Sequence, residues 1–156
     1  MFAEKRLFGF DLKRNFAFPY FSRDIGEFWR RWHISLSTWF RDYLYIPLGG
    51  SRGGTLKKIR NTFLIFIVSG FWHGANWTFV AFGLIGAVFI TIERIQIPYK
   101  NKKYSLTEFL NKAPRPVSIV YISILIIVSC VFFRAPDATT ALHILNKIVS
   151  FQMAQE

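Results

Sequence analysis

One histidine stands inside a long uncharged stretch of the chain. His73 lies in the motif SGFWHGANW (69–77), and no Lys, Arg, Asp or Glu occurs from Asn61 to Ile92. Such a stretch is long enough to enter a lipid bilayer, where an ionisable side chain is costly unless it faces a protein interior or a wet cavity. Imidazole is also well suited to moving a proton near neutral pH. The pattern predicts a membrane-embedded site centred on His73; a packed, structural histidine is the alternative.

Other reactive side chains support less chemistry on their own. His33 lies in the motif RRWHIS, where an interfacial histidine bonded to backbone or headgroup is the simpler interpretation. Ser69 precedes His73 by one helical turn, but no GxSxG motif surrounds it, so covalent serine catalysis is disfavoured. The three histidines lack metal-ligand spacing and Cys130 is the only cysteine, so we expect no metal.

Arginines cluster near His33. Arg30, Arg31 and Arg41 could anchor the chain to anionic lipid, or they could recognise a phosphate-bearing donor such as coenzyme A. The following GGSRGG segment is rich in glycine, but it lacks the lysine placement of a P-loop. For Arg30 and Arg31, lipid anchoring is the slightly better supported of the two interpretations.

Composition indicates a membrane protein with cationic loops. The chain of 156 residues is 52% hydrophobic, holds 18 Phe and 5 Trp, and carries a formal net charge of +11. A nucleic-acid-binding protein could be equally basic, but it would not need an uncharged stretch of this length. We therefore expect lipid, and no nucleic acid, as a partner.

The elements that must position these residues are predicted to be helices. Asp24 and Glu27 form a capping box, and aromatic residues recur at helical spacing over 24–47, which predicts one amphipathic helix in the membrane interface or along a polar cavity. The uncharged stretch 61–92 would measure about 48 Å as a single helix, against a bilayer core of about 30 Å, so 61–93 is predicted to hold more than one membrane segment. A break at Gly74 and Asn76 would give two short segments that meet at His73.

The remaining segments flank this centre. Residues 1–23 alternate aromatic and basic side chains, which is typical of an interfacial segment. Residues 94–116 form a basic loop, 117–133 a membrane helix, and 138–153 a short amphipathic helix. The predicted fold is therefore an all-α, polytopic integral membrane protein with an interfacial amphipathic helix and broken helices around a central histidine.

Two long motifs resemble a known family. EFWRRWHISLS (27–37) followed by WFRDYLYIPLGG (39–50), together with SGFWHGANWTF (69–79), is similar to the signatures of the membrane-bound O-acyltransferase (MBOAT) family. The resemblance is strongest to the bacterial branch that holds the alginate O-acetyltransferase membrane subunit. It covers nearly the whole chain. Relatives are much longer, so the resemblance implies that 1–156 is the C-terminal portion of a single MBOAT-like membrane domain.

The resemblance implies roles for individual residues. His73 would be the catalytic general base toward an acceptor hydroxyl, and His33 would support the site or the acyl path. The side chains that shape the substrate cavity would be Arg30, Arg31, Trp32 and Asp42. Asn76 could orient His73 or an oxyanion, which is an inference from its position beside the histidine.

The resemblance also implies the wider reaction. An acetyl group would pass from a thioester, acetyl-CoA, toward hydroxyls of an extracytoplasmic polysaccharide, with no bound cofactor. The enzyme would sit as a multi-pass protein in the bacterial plasma membrane and work with a periplasmic or extracellular SGNH-type acetyl-transfer partner. D-alanylation of teichoic acid and a non-catalytic membrane scaffold are the alternatives. A simple membrane-surface binder would leave the histidine segment unexplained.

Overall fold

Helices make up most of the structure. The computed structural model describes residues 14–99 and 102–150, so most of the predicted interfacial segment 1–23 lies outside the described residues. The helices are α1 (Ile25–Arg31), α2 (Ile34–Phe40), α3 (Thr55–His73), α4 (Trp77–Arg94), α5 (Leu106–Lys112), α6 (Arg115–Arg134) and α7 (Ala138–Val149). A 3-10 turn (Pro19–Phe21) precedes α1, and a π-helical stretch (Arg41–Tyr45) follows α2.

Helices α3 and α4 form a tight antiparallel hairpin. A Cβ at Gly70 would lie 2.5 Å from the Phe79 carbonyl oxygen, and a Cβ at Gly83 would overlap the Phe66 carbonyl oxygen. The two glycines therefore let the backbones approach closely, as small residues do between membrane helices. The hairpin turns at residues 74–76, where the sequence pattern placed the break, and Gly74 has φ +151°.

Helix α6 packs on α4, and α1 lies across both. Their shared core consists of Ile25, Phe28, Ile90, Ile122, Leu125 and Ile126. Within the described ranges, α4 and α6 are the two helices long and apolar enough to cross a membrane by length and composition. The outward faces of these helices expose apolar side chains, among them Val88, Val120 and Ile124.

The predicted helix over 24–47 needs correction, because the chain breaks at His33. His33 has φ 46° and ψ 55°, which is a left-handed conformation that a helix interior does not allow. Asn15 stabilises the break: its carbonyl oxygen accepts from the Ile34 amide at 2.9 Å, and its side-chain oxygen accepts from the Ser35 amide at 3.0 Å. Two short helices and a π-helical stretch replace the single helix.

The basic loop over 94–116 also needs correction. It contains a β-hairpin of β1 (Ile97–Tyr99) and β2 (Lys102–Tyr104), paired antiparallel with Ile97 opposite Tyr104, and then α5. Ser105 starts α5 by accepting the Glu108 amide at 3.2 Å. Apart from this hairpin, the regular elements of the described chain are helical, as the sequence predicted.

Candidate active site

A cavity of about 570 Å³ is lined by residues of α1 and α2 on one side and of α3, α4 and α6 on the other. Both motif histidines, His33 and His73, line it. Its walls are mostly aromatic and aliphatic, so a small acyl group and an uncharged chain would fit its interior.

The cavity is elongated along the helix axes. On α3 its lining residues are Thr62, Ile65, Phe66, Ser69 and His73, which form one helical face. On α4 they run from Phe82 through Ile90 to Arg94, a rise of about 18 Å at 1.5 Å per residue. The cavity therefore has an arginine end beside Arg94 and a histidine end beside His73.

Aromatic rings surround His73. Its ring centroid lies 4.9 Å from that of Trp72, 5.0 Å from that of Phe133 and 5.9 Å from that of Phe82, all with edge-to-face geometry. The histidine is half-buried at the last position of α3. Gly74 is required next to it, because a Cβ there would meet the Phe79 ring at 2.7 Å.

The ring of Trp72 contacts the rings of both motif histidines. Its ring centroid lies 6.0 Å from that of His33 and 4.9 Å from that of His73. The left-handed backbone at His33, at the junction of α1 and α2, is the local feature that places this histidine on the cavity wall.

Two polar atoms beside the cavity have no hydrogen-bond partner among the described residues. They are Nε1 of Trp29 and Nδ1 of His33, and both are buried. A buried polar atom without a partner costs about 1–3 kcal/mol. Because both residues line the cavity, a molecule bound there could supply the missing partners.

The structure brings together four of the seven site residues predicted from sequence. His73, His33, Arg30 and Trp32 line the cavity. The Trp32 ring stacks on Phe28 at 5.6 Å with an interplanar angle of 17°, which fixes its orientation.

Arg31 lies outside the cavity lining and is held by α1 itself. Its Nη2 atom donates to Glu27 Oε1 at 2.6 Å. Burial raises the pKa of Glu27, but hydrogen bonds from the Arg23 amide and the Arg31 guanidinium outweigh it and hold the pKa below its usual value. Arg31 therefore stabilises the start of the motif segment.

Asp42 and Asn76 also lie outside the cavity lining. Asp42 is exposed and accepts from Arg41 Nε at 2.7 Å. Asn76 caps α4 by accepting the Thr78 amide at 3.1 Å, and its Nδ2 atom donates to the Pro136 carbonyl at 3.0 Å. Asn76 thereby ties the turn after His73 to the end of α6.

Sequence reasoning missed Trp29, Arg94 and Phe133 as cavity residues. The sequence pattern places Arg94 in a basic loop. Its position just after the uncharged run, where α4 ends, is the signal that could have indicated a residue at the end of the cavity. Phe133 contacts His73 from α6, 60 positions along the chain, and no local pattern indicates that contact.

Comparison with known proteins identifies the family. The model of the membrane-bound O-acyltransferase (MBOAT) family matches residues 2–134. The chain belongs to the MBOAT family. The resemblance drawn from the two motifs is thus confirmed, and the family is membrane-bound.

Curated relatives of the chain carry the names of bacterial acyl-transfer enzymes. The chain is 43% identical over 146 residues to a probable alginate O-acetylase of Azotobacter vinelandii, covering 93% of this chain and 27% of the relative. It is 39% identical to a peptidoglycan O-acetyltransferase of Helicobacter pylori, covering 91% of this chain and 26% of the relative. A teichoic acid D-alanyltransferase of Streptococcus thermophilus is 38% identical over 97 residues, covering 58% of this chain and 23% of the relative. The chain thus spans about a quarter of the length of these relatives.

Proposed function

We propose that this chain forms the catalytic part of a multi-pass O-acetyltransferase in the bacterial plasma membrane. The enzyme would move an acetyl group from acetyl-CoA toward hydroxyls of an extracytoplasmic polysaccharide. The observation that carries this proposal is an elongated cavity that has both motif histidines on its wall. The names of two relatives, an alginate O-acetylase and a peptidoglycan O-acetyltransferase, support acetyl transfer to a polysaccharide.

Charge distribution supports an orientation in the membrane. The start of α3, the end of α4 and the start of α6 lie at one end of the bundle, beside the basic segments 52–60 and 94–115. Basic segments favour the cytoplasmic side. The arginine end of the cavity would then face the cytoplasm, and His73 would lie toward the opposite face. Helix α1 would run along the bundle rather than in the plane of the interface, because the Ile25 amide bonds Glu93 at one end and His33, two residues after α1, contacts Trp72 at the other.

His73 would act as the general base. Its neutral imidazole would accept the proton of the acceptor hydroxyl while the hydroxyl oxygen attacks the thioester carbonyl carbon. The carbon–sulfur bond would then break, and the thiolate would leave and take up the proton from the imidazolium. The rings of Phe82 and Phe133, which line the cavity beside His73, would exclude water, which would otherwise hydrolyse the thioester.

His33 would hold the substrate rather than react with it. Its Nδ1 atom and Nε1 of Trp29 are buried without partners within 14–99 and 102–150, so polar atoms of the bound acyl arm would complete their hydrogen bonding. Arg30 and Trp32 would line the path of the donor. Arg31, Asp42 and Asn76 would shape the site indirectly, since each forms a hydrogen bond outside the cavity.

A soluble partner would complete the pathway. With His73 toward the outer face, the acetyl group would emerge where an SGNH-type partner outside the cytoplasm could receive it and pass it to the polymer. A serine hydroxyl of that partner would serve as acceptor just as well as a sugar hydroxyl, since the base needs only a hydroxyl proton within reach.

D-alanyl transfer to teichoic acid is a second candidate. It is favoured by the similarity to the D-alanyltransferase of Streptococcus thermophilus. Neighbouring genes separate the two functions, because D-alanylation needs a carrier-protein ligase for D-alanine whereas acetylation accompanies polysaccharide synthesis and SGNH-type proteins. A non-catalytic scaffold is the third candidate, and in that case His73→Ala would alter assembly but no turnover.

The direct test is acyl transfer by membranes that contain the intact gene product. Membranes would receive either labelled acetyl-CoA or a D-alanyl-loaded carrier protein, with a polysaccharide acceptor and the SGNH-type partner. We expect labelled acetate, and no D-alanine, on the acceptor. Label from D-alanine alone would favour the second candidate, and no transfer from either donor would favour the scaffold.

A further inference from the structure

Three phenylalanine rings from two helices pack beside His73. The ring centroid of Phe133, on α6, lies 5.0 Å from that of His73 and 5.1 Å from that of Phe82 on α4. The Phe79 ring, also on α4, lies 5.2 Å from Phe133 on centroids. Aromatic rings at these separations are in contact, so an acyl chain cannot pass between them. Phe133 is the ring that contacts all the others in this cluster.

The cluster closes the histidine end of the cavity. Phe82 and Phe133 line the cavity beside His73, whereas Phe79 lies outside its lining. The Phe79 ring is itself held in place, because it packs against the turn at Gly74, where a Cβ would meet it at 2.7 Å. Phe82 and Phe133 therefore form an end wall, and Phe79 supports that wall from the far side.

The side chains just before the end wall are small. On α6, Ser129 and Cys130 line the cavity one helical turn before Phe133. On α3, Ser69 lines it one turn before His73. The Ser129 hydroxyl is already bonded to a backbone carbonyl at 2.9 Å, so its proton is not available to a ligand. We call the space between these small side chains and the end wall the end chamber.

The geometry points to Phe133 and Phe82 as the residues that limit the length of the transferred acyl group. This inference rests on the proposed acyl transfer with His73 as base. With the thioester carbonyl beside His73 and its sulfur toward the arginine end, the acyl chain extends into the end chamber. An acetyl group adds one methyl beyond the carbonyl. Each further methylene would meet the end wall, whose rings are fixed by their contacts with one another.

Donors with acyl groups of increasing length test the end wall. The intact protein would receive acetyl-CoA, propionyl-CoA or butyryl-CoA with the same acceptor. We expect the kcat/KM of the wild type to fall about 10- to 200-fold with the first added methylene and further with the second. Phe133→Ala should raise the ratio of butyryl to acetyl transfer by about tenfold or more. Phe133→Leu keeps more of the side chain and should raise this ratio less.

A second wall variant and a matched control complete the test. Phe82→Ala opens the wall from α4 and should raise the butyryl-to-acetyl ratio whether or not Phe133→Ala folds. Phe89→Ala should leave the ratio unchanged, because Phe89 is on the same helix but packs on the apolar core outside the cavity lining. The end wall is wrong if the wild type uses butyryl-CoA as well as acetyl-CoA. It is also wrong if neither wall variant changes the ratio, or if Phe89→Ala changes it equally.

Binding of unreactive donors separates the end wall from the proposed function. S-ethyl-CoA and S-butyl-CoA are thioethers that cannot transfer an acyl group, so calorimetry measures their affinity without turnover. If the wild type transfers no acyl group from any donor, the proposed function fails. The end wall then still predicts that the wild type binds S-butyl-CoA about tenfold or more weakly than S-ethyl-CoA, and that Phe133→Ala removes the difference. Equal binding of the two by the wild type, or binding of neither, would overturn it.

Discussion

The backbone amide of Ile25 donates to both carboxylate oxygens of Glu93, at 3.1 and 3.0 Å. Glu93 is 1% exposed, and Ile25 is 2% exposed. This bond joins the first residue of α1 to the end of α4, so it fixes the segment that carries Arg30 and His33 against the helix that carries Arg94. The cavity depends on that attachment.

Loss of the Glu93 carboxylate should loosen α1. Glu93→Ala leaves a buried amide without its acceptor, which should lower the free energy of unfolding by about 1–3 kcal/mol. Glu93→Gln keeps one side-chain oxygen as an acceptor and should lose less. Thermal unfolding of the detergent-solubilised protein measures both changes. A melting temperature of Glu93→Ala equal to that of the wild type would show that the bond contributes nothing.

The close approach of α3 and α4 should tolerate no added side chain at Gly83. A Cβ there would overlap the Phe66 carbonyl oxygen, which is backbone and cannot rotate away. Gly83→Ala should therefore destabilise the hairpin by roughly 1–3 kcal/mol and lower the amount of folded protein in membranes. Val88→Ala, on the exposed face of the same helix, is the matched control and should be nearly neutral. Equal folding of both variants would contradict the packing.

Asn61 should hold the glycine-rich loop over 46–54. Its side chain is fully buried, and Nδ2 donates to the carbonyl oxygens of Leu48 and Gly50 at 3.2 and 3.1 Å. Asn61→Asp removes the donor and should speed tryptic cleavage after the exposed Arg52. Leu56→Ala, 84% exposed at the nearby start of α3, serves as control. If cleavage after Arg52 is as slow in Asn61→Asp as in this control, Asn61 does not restrain the loop.

Asp137 should make the start of α7 sensitive to acid. Hydrogen bonds from the Thr139 hydroxyl, the Thr140 amide and the Thr140 hydroxyl lower the pKa of Asp137 to about 2. Because the folded pKa lies below the usual value of 3.8, the stabilisation is complete above about pH 5 and is lost as the pH falls toward 2.

Amide hydrogen exchange measures this acid sensitivity. The protection factor of the Thr140 amide, corrected for the intrinsic rate at each pH, should stay constant from pH 7 to about pH 5 and then fall toward pH 2. Asp137→Asn keeps the cap but cannot titrate, so its protection should not change with pH. A wild-type profile as flat as that of Asp137→Asn would contradict the assignment.

Local patterns predicted the helices well, because their determinants lie within a few residues. The uncharged run exceeded the length of one membrane crossing, and Gly74 provided the break between α3 and α4. The capping box was also visible, since Asp24 does accept the Glu27 amide at 2.6 Å. Glu27, however, reaches back to the Arg23 amide at 2.7 Å rather than to that of Asp24.

Long-range contacts explain what the sequence could not predict. Aromatic residues recur at helical spacing throughout 24–47, so the sequence pattern shows no break at His33. The break depends on Asn15, whose side-chain oxygen accepts from the Ser35 amide, 20 positions along the chain. The site was predicted in part for the same reason. The motifs indicated His73 and His33, whereas Phe133 and Arg94 join the site only through the packing of α6 and α1 on the α3–α4 hairpin.

The central claim is that His73 is the base of acyl transfer. The most direct measurement compares acetyl transfer by His73→Ala with that by His143→Ala, an exposed histidine on α7, in the intact protein at equal membrane abundance. We predict a loss of about 10²–10⁴-fold for His73→Ala and no change for His143→Ala. Retention of transfer by His73→Ala within a few fold of the control would contradict the account and leave His73 as a packing residue.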